Sequence, residues 1–350
     1  MNTTLLADTA SAMVAPGKGM LAMDESNGTC NQRFASLGIP QTLYARRDWR
    51  ELLLTTADLG ECISGVILYD ETIRQHTAGG TPFVEVLRDA GILVGIKVDT
   101  GAKDLAAHPG EKVTEGVDGL RERLKNYFDM GARFAKWRGV IRIAETGERL
   151  PSAGSIDANA HALARYAALC QEAGLVPIIE PEVLMDGDHT LERCGEVTEA
   201  VLRRVFDQLA TQRVVLEAMI LKPNMILAGS AAATQPTVDE VADATVRCLL
   251  RVVPAAVPGI AFLSGGQSGE VASAHLNAMH ASSRASTASG ARVPVWPLTF
   301  SFARAIQYPA LEIWAGKDSN RASAQQALLH RARCNCAALR GEYGAAMESA

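Results

Sequence analysis

Six ionisable residues, Asp24, Lys97, Lys136, Glu180, Glu182 and Lys222, stand directly at the ends of short apolar runs. The most telling run is Val214 to Leu221, which ends in Lys222-Pro223-Asn224. Its apolar length and the β-branched Val214 and Val215 predict a buried strand. Pro223 cannot donate to a sheet ladder, so it belongs at the strand end or just past it. Lys222 is thereby placed where a strand opens into a loop, with apolar neighbours behind it. Desolvation disfavours an ammonium and lowers its pKa, and a neutral lysine is a nucleophile for carbonyl carbon. On this run alone a lysine that merely snorkels out of a strand end fits equally well. The companions at the other strand ends favour chemistry, because clustered charge is costly to desolvate without a use.

The elements that must position these groups are eight apolar runs separated by amphipathic stretches. Predicted strands are Gly19–Met23, Ile63–Tyr69, Ile92–Ile96, Ala132–Ala135, Leu175–Ile179, the run before Lys222, Gly259–Leu263 and Val295–Phe300. Helical patterns fill the intervals: Trp49–Leu59, Gly119–Met130, Ala158–Ala173, Val197–Ala210, Val238–Val252 after the N-cap candidate Thr237, Ser268–Met279, Ala303–Ala315 and an Ala-rich stretch over 321–341. Eight alternating units predict a parallel sheet closed into a (β/α)8 TIM barrel. The competing open, doubly wound sheet calls for a Gly-rich fingerprint after its first strand, and here that strand ends in Asp24-Glu25-Ser26. The expected organisation is one barrel domain over 1–341, including an N-terminal extension and a C-terminal helix, followed by a short flexible tail, 342–350. Residues 98–118 read as a long third connection and 282–293 as a mobile surface loop.

In a barrel the strand ends converge on one face, where active sites sit. Lys136 near Lys222 would lower the Lys222 pKa further. Glu180 and Asp24 are candidates for the several proton transfers of a carbinolamine pathway. Glu180 and Glu182 are expected on opposite sides of one strand end, one facing the cavity and the other structural, with residue order alone not deciding which. The seventh loop, Ser264-Gly265-Gly266-Gln267-Ser268-Gly269, leads into a helix whose N-terminus suits an anion. Arg304, after strand eight, could clamp a phosphate there bidentately. Lys97, Arg138 and Arg33 are cationic candidates for a second phosphate, although Arg33 and Arg138 each also fit a surface salt bridge.

Composition limits the alternatives. With 350 residues, 48% hydrophobic and 21% charged, the chain supports one large core or at most two domains. A formal net charge of -5 gives no global attraction for nucleic acid or an anionic membrane. Seven cysteines without a CxxC pair read as the usage of a reducing cytoplasm. The first residues do not read as a signal peptide, and no apolar run reaches the ~20 residues of a membrane span. No two histidines stand at i, i+4, none sits at a strand end beside Cys or Asp in a ligand pattern, and P-loop and H-E-x-x-H motifs are lacking, so no metal and no other cofactor is expected.

The sequence resembles class I fructose-1,6-bisphosphate aldolase over nearly its whole length. The matching pieces include Ala15-Pro16-Gly17-Lys18-Gly19, Asp24-Glu25-Ser26, Gly65-Val66-Ile67-Leu68, Val94-Gly95-Ile96-Lys97-Val98-Asp99, Phe134-Ala135-Lys136-Trp137-Arg138, Glu180-Pro181-Glu182, Leu221-Lys222-Pro223-Asn224-Met225, Phe262-Leu263-Ser264-Gly265-Gly266-Gln267-Ser268 and Leu298-Thr299-Phe300-Ser301, in the family's order and approximate spacing. The resemblance implies that Lys222 is the Schiff-base lysine, Glu180 the main acid/base and Glu182 the second glutamate beside the lysines. It places Asp24 near the C4 hydroxyl of the substrate and has Lys136 polarise the site. Ser264, Gly265 and Arg304 match the binders of one phosphate, Lys97 and Arg138 match binders at the other end, and Ser26, Thr29 and Arg33 fall at substrate-contacting positions. A metal-independent homotetramer is implied.

The chain departs from the family pattern in places. Ala218 and Ala303 stand where glycine is usual, changing close packing without removing the amine or the backbone N–H of the clamp. Many members carry a long tail ending in a tyrosine that assists proton transfer. The sequence stops at Ala350 without it, Tyr343 matching an earlier position, and enamine protonation is expected to proceed without that tyrosine or to be slower at that step. A transaldolase would use the same amine but hand its three-carbon unit to a sugar acceptor, and two phosphate clusters favour a bisphosphate instead. A non-catalytic scaffold on the same fold is the remaining alternative, disfavoured because every residue the chemistry needs is present.

Overall fold

The computed structural model of the chain describes residues 2–144, 149–289 and 294–349. Eight parallel strands close into a barrel: β1 (Gly19–Ala22), β2 (Ile63–Leu68), β3 (Leu93–Lys97), β4 (Phe134–Ile141), β5 (Val176–Val183), β6 (Ile220–Leu221), β7 (Ile260–Phe262) and β8 (Leu298–Phe302). Each pairs with its neighbour in sequence, and β1 closes the ring against β8 through Met20 opposite Ser301 and Leu21 opposite Phe302. Helices follow the strands on the outside, giving the (β/α)8 architecture.

Alternation along the strands sorts residues between two cores. On β4, Phe134 points into the barrel while Ala135 and Trp137 join the layer between sheet and helices. On β5, Val176 and Ile178 point in, and Ile179 and Val183 point out. The barrel interior is therefore a packed plug of Met20, Ala22, Ile67, Phe134, Ile178, Ile220 and Ala261. The Phe134 ring fits there because β3 passes it with glycine: a Cβ at Gly95 would stand 2.1 Å from that ring. The N-terminal helix Thr3–Met13, capped by Asn2 accepting from the Leu5 N–H, seals the floor by adding Leu6, Ala10 and Met13 to this inner cluster.

Several sequence expectations need correction. The stretch expected to be one long strand before Lys222 is mostly something else. Leu216–Ala218 forms a 3-10 turn and only Ile220–Leu221 is strand. An apolar run predicts burial, and burial is not the same as extended structure. Strands β4 and β5 continue through their charged residues rather than stopping at them, as far as Ile141 and Val183. The connection over 98–118 carries a hairpin, Gly101–Asp104 against Lys112–Glu115. Of the expected loop over 282–293, residues up to Ser289 continue the helix Gly269–Ser289, and 290–293 lie outside the described residues.

The last helix, Arg321–Ala338, packs on the helices Gly269–Ser289 and Arg304–Trp314. Beyond it the Tyr343 N–H donates to Asn277 Oδ1 at 2.9 Å, and Ala345–Ser349 forms a 3-10 turn. Among the described residues no helix is long and apolar enough to cross a membrane.

Candidate active site

The carboxyl ends of the strands surround a cleft of roughly 800 Å³. Asp24, Lys97, Lys136, Glu180, Glu182 and Lys222 all line it, as do Ser26, Thr29, Arg33, Arg138, Ser264, Gly265 and Arg304. All thirteen residues singled out from the sequence are thus brought together at one mouth.

The deepest part is a chain of four charged groups. Lys136 Nζ stands 2.8 Å from Asp24 Oδ2 and 2.8 Å from Glu180 Oε2, while Lys222 Nζ stands 3.2 Å from Glu180 Oε1. All four side chains are buried, Lys222 at 3% and Lys136 at 4% exposure. Burial alone would lower the pKa of both lysines. For Lys136, Asp24 and Glu180 together outweigh burial and hold the ammonium protonated well above the usual lysine range. For Lys222, burial assisted by repulsion from Lys136 outweighs the attraction of Glu180 and the more distant Asp24, and the pKa falls. Asp24 and Glu180 are desolvated too, but the lysines keep both carboxyls ionised below the ordinary range.

The backbone explains how these groups meet. Lys136 and Arg138 continue the inward face begun by Phe134, and Lys97 lies opposite Lys136 across the ladder. Glu180 and Glu182 continue the face begun by Val176 and Ile178. The expectation that they fall on opposite sides is overturned, because β5 stays extended to Val183 and residues two apart share a face. Glu182 is paired with Arg138 Nε, while Glu180 reaches the lysines.

Pro223 ends β6 after one last ladder bond, Lys222 N–H to Ile179 O at 2.8 Å. The side chain of Asn224 then replaces the missing strand: its Oδ1 accepts from the Val183 N–H at 3.0 Å and its amide donates to Thr198 Oγ1 at 3.2 Å. The nucleophile candidate is thereby tied to β5 and to the helix Leu191–Thr211. In the sequence Pro223 marks the strand end, while nothing there singles out Asn224.

The loop side offers anion-binding backbone. Gly265 and Gly266 have φ of 58° and 96°, conformations that favour glycine. A Cβ on Gly266 would stand 3.3 Å from an Arg304 guanidinium nitrogen, so that glycine lets the exposed Arg304 lie over the loop. Ser26 caps the helix Asn27–Ser36 by accepting from the Thr29 N–H. Ala303, at φ -108°, needs no glycine, and Ala218 is fully buried in the inner core.

Sequence reasoning missed the residues behind the mouth. Asp99 is buried, sits 2.7 Å from Lys97 Nζ and accepts from the Gly101 N–H. Glu25 takes Arg33 and Arg50 on its two oxygens, with Gln307 Nε2 at 2.9 Å, and Gln307 also donates to Ala22 O. This buried knot fixes the chain on both sides of Asp24. An arginine in a helix over Leu43–Leu54 gives no pattern by which sequence alone would mark it. Among the described residues, one group of His, Cys and acid side chains has metal-ligand spacing, and it lies away from the cleft: His330, Cys334 and Glu348.

Comparison with known proteins agrees with this arrangement. The family model for "Fructose-bisphosphate aldolase class-I" matches residues 5–350. The chain is 55% identical over 345 residues to a "Probable fructose-bisphosphate aldolase class 1" of Xanthomonas campestris pv. campestris, covering 98% of this chain and 99% of that one. It is 49% identical over 328 residues to "Fructose-bisphosphate aldolase 6, cytosolic" of Arabidopsis thaliana, covering 94% and 88%. A solved structure of fructose-bisphosphate aldolase from Plasmodium falciparum, in complex with TRAP and a small molecule inhibitor, superposes with a TM-score of 0.93 at 45% identity, covering 97% of this chain and 95% of that one. With a closed eight-stranded barrel, a lysine-centred mouth and a match across nearly the whole chain, this protein belongs to the class I fructose-bisphosphate aldolase family.

Proposed function

We propose that Lys222 is the nucleophile of this lyase and that the surrounding groups divide the remaining steps of fructose 1,6-bisphosphate cleavage. The observation that carries the assignment is the shared carboxylate: Glu180 lies between two buried lysines, of which only Lys222 has its pKa lowered. Neutral Lys222 attacks C2 of the open-chain ketose. Glu180, ionised at rest, takes the ammonium proton whose loss leaves Lys222 neutral; a second proton passes from nitrogen to the C2 oxygen, Glu180 returns its own to that hydroxyl, and water leaves to give an iminium. The iminium draws electrons from the C3–C4 bond once the C4 hydroxyl gives up its proton, a transfer assigned to Asp24 with Lys136 fixing its charge. Glyceraldehyde 3-phosphate leaves, the enamine takes a proton at C3, and hydrolysis frees dihydroxyacetone phosphate and the amine. In reverse the same groups join the two trioses. The iminium is itself the electron sink, so this sequence calls for no metal.

Glu182 is assigned to holding Arg138, and through it the shape of the mouth. Ser264, Gly265 and Arg304 are assigned to one phosphate, and Lys97 and Arg138 to the other, with Ser26, Thr29 and Arg33 contacting substrate. Two anchored phosphates convert encounter into a fixed geometry of C2 over Lys222. Borohydride reduction with dihydroxyacetone phosphate in EDTA, followed by peptide mass mapping, tests the assignment. The expected adduct is on Lys222, and an adduct on another lysine would overturn it.

The same reading treats 1–341 as one barrel domain with 342–350 as its tail. It also takes the enzyme to be a homotetramer working in the cytoplasm. Buried, unpaired thiols throughout and the cytosolic designation of the plant relative support the compartment. Light scattering on the purified enzyme checks the oligomer.

A further inference from the structure

We infer that His330, Cys334 and Glu348 form a binding site for a divalent ion of the zinc class, one that fastens the C-terminal segment to the last helix and takes no part in the chemistry of the cleft. His330 and Cys334 lie one turn apart on Arg321–Ala338, and Glu348 arrives from the separate 3-10 turn Ala345–Ser349. His330 Nε2 and Cys334 Sγ stand 3.5 Å apart. Zinc bonds of ~2.3 Å to sulfur and ~2.0 Å to nitrogen, at a tetrahedral angle, ask for about 3.5 Å between the two donors. One oxygen of Glu348 and the other two donor atoms all lie within 4.8 Å of one another. The carboxylate therefore needs to close by no more than about 1.5 Å to complete three corners of a tetrahedron.

The donor set names the class of ion. A thiolate and an imidazole suit zinc and its borderline neighbours, whereas magnesium and calcium prefer all-oxygen shells. Three protein ligands leave the fourth corner to water. Neighbouring side chains already orient the carboxylate. Tyr343 Oη donates to Glu348 Oε1 at 2.6 Å, and Arg331 Nη1 bonds both of its oxygens. Arg331 is held in turn by Ser273 Oγ at 2.8 Å, which donates to Asn335 Oδ1 at 2.7 Å. Outer contacts of this kind fix ligand geometry at metal sites. A carboxylate has about four lone-pair positions, so it takes a metal without giving up Arg331. The alternative is a weak thiol–imidazole hydrogen bond beside an ordinary ion pair.

Cobalt(II), which substitutes for zinc and reports its ligands by colour, distinguishes the two. Chelator-treated full-length enzyme titrated with cobalt is expected to show one equivalent of tetrahedral ligand-field absorption together with a thiolate-to-cobalt charge-transfer band, both bleached by zinc. C334S is expected to lose the charge-transfer band. H330A and E348Q are expected to weaken cobalt at least tenfold. C336S should leave the band intact, because Cys336 Sγ faces Cys62 O at 3.7 Å instead. Zinc should raise the Tm of the wild type and not that of H330A, while fructose 1,6-bisphosphate cleavage stays the same with and without metal. A wild type without a thiolate band at saturating cobalt, a band that survives C334S, or unchanged affinity in H330A would overturn the site. Loss of cleavage on chelation would overturn its separation from the cleft. Because H330A alters a half-buried side chain, its result stands even where C334S perturbs folding.

Discussion

Lys136 and Lys222 occupy neighbouring places in one barrel, are buried to the same degree, and touch the same carboxylate, yet their pKa values move in opposite directions. The difference is one carboxylate in direct contact. Lys136 has Asp24 as well as Glu180, and Lys222 pairs with Glu180. Desolvation sets a similar cost for both, and the count of adjoining carboxylates decides its outcome. The same fold thereby holds one lysine protonated and biases another toward the neutral amine.

The most drastic way to break the comparison is Lys222→Met, which removes the amine altogether. Cleavage should fall by ~10⁵-fold or more, and the borohydride adduct should vanish from the peptide map. The variant should nonetheless fold at least as stably as the wild type at neutral pH, because a desolvated lysine gives way to an apolar chain. Lys136→Met should do the reverse and destabilise by about 3–5 kcal/mol, since Asp24 and Glu180 then share a dry site without their cation. Calorimetry on the pair tests whether the two lysines differ as described.

Glu180→Gln affects both lysines at once. Cleavage should drop roughly 10²–10⁴-fold for want of the proton carrier. Its pH profile carries the sharper information: Glu180 raises the Lys222 pKa, so its removal should shift the acid limb of adduct formation to lower pH. Arg304→Ala lies outside the four-group chain and should leave both lysines unchanged. A charge-assisted contact of about 1.5–3 kcal/mol predicts a KM raised at least tenfold, with little change in kcat.

The smallest effect is in stability. The folded-state pKa of Lys222 lies below the unfolded value, so between the two the unfolded chain binds more protons. The contribution of this residue to stability should therefore rise with pH across that window. Tm measured against pH should rise more for wild type than for Lys222→Met on the alkaline side.

The charged strand ends were legible in the sequence because a barrel turns one-dimensional order into a ring. Each residue just past an apolar run had to face the same mouth. The strand boundaries were less legible. Charge ordinarily ends a strand, so Lys136 and Glu180 read as terminators, but here each charge sits within its strand and is offset by the opposite charge on its neighbour. The Leu216–Ala218 turn was hidden for the converse reason: it lies inside an apolar run, and burial leaves no periodic mark in so short a piece. Arg50, Gln307 and Asp99 act through partners that no local pattern announces.

Three cations of the mouth already hold internal anions: Lys97 holds Asp99, Arg138 holds Glu182, and Arg33 holds Glu25. A phosphate group arriving there does not fill an empty berth but competes with a tethered carboxylate. On the proposed assignment these three positions would act as a small ion exchanger with a built-in threshold. Chloride, a single weakly directed charge, gains too little to displace a carboxylate fixed within bonding distance. A phosphate dianion offers three acceptor oxygens to a fork of donors and gains enough. On the proposed assignment, the ion pairs that look like structural reinforcement would also act as a filter, passed by a phosphate and not by chloride.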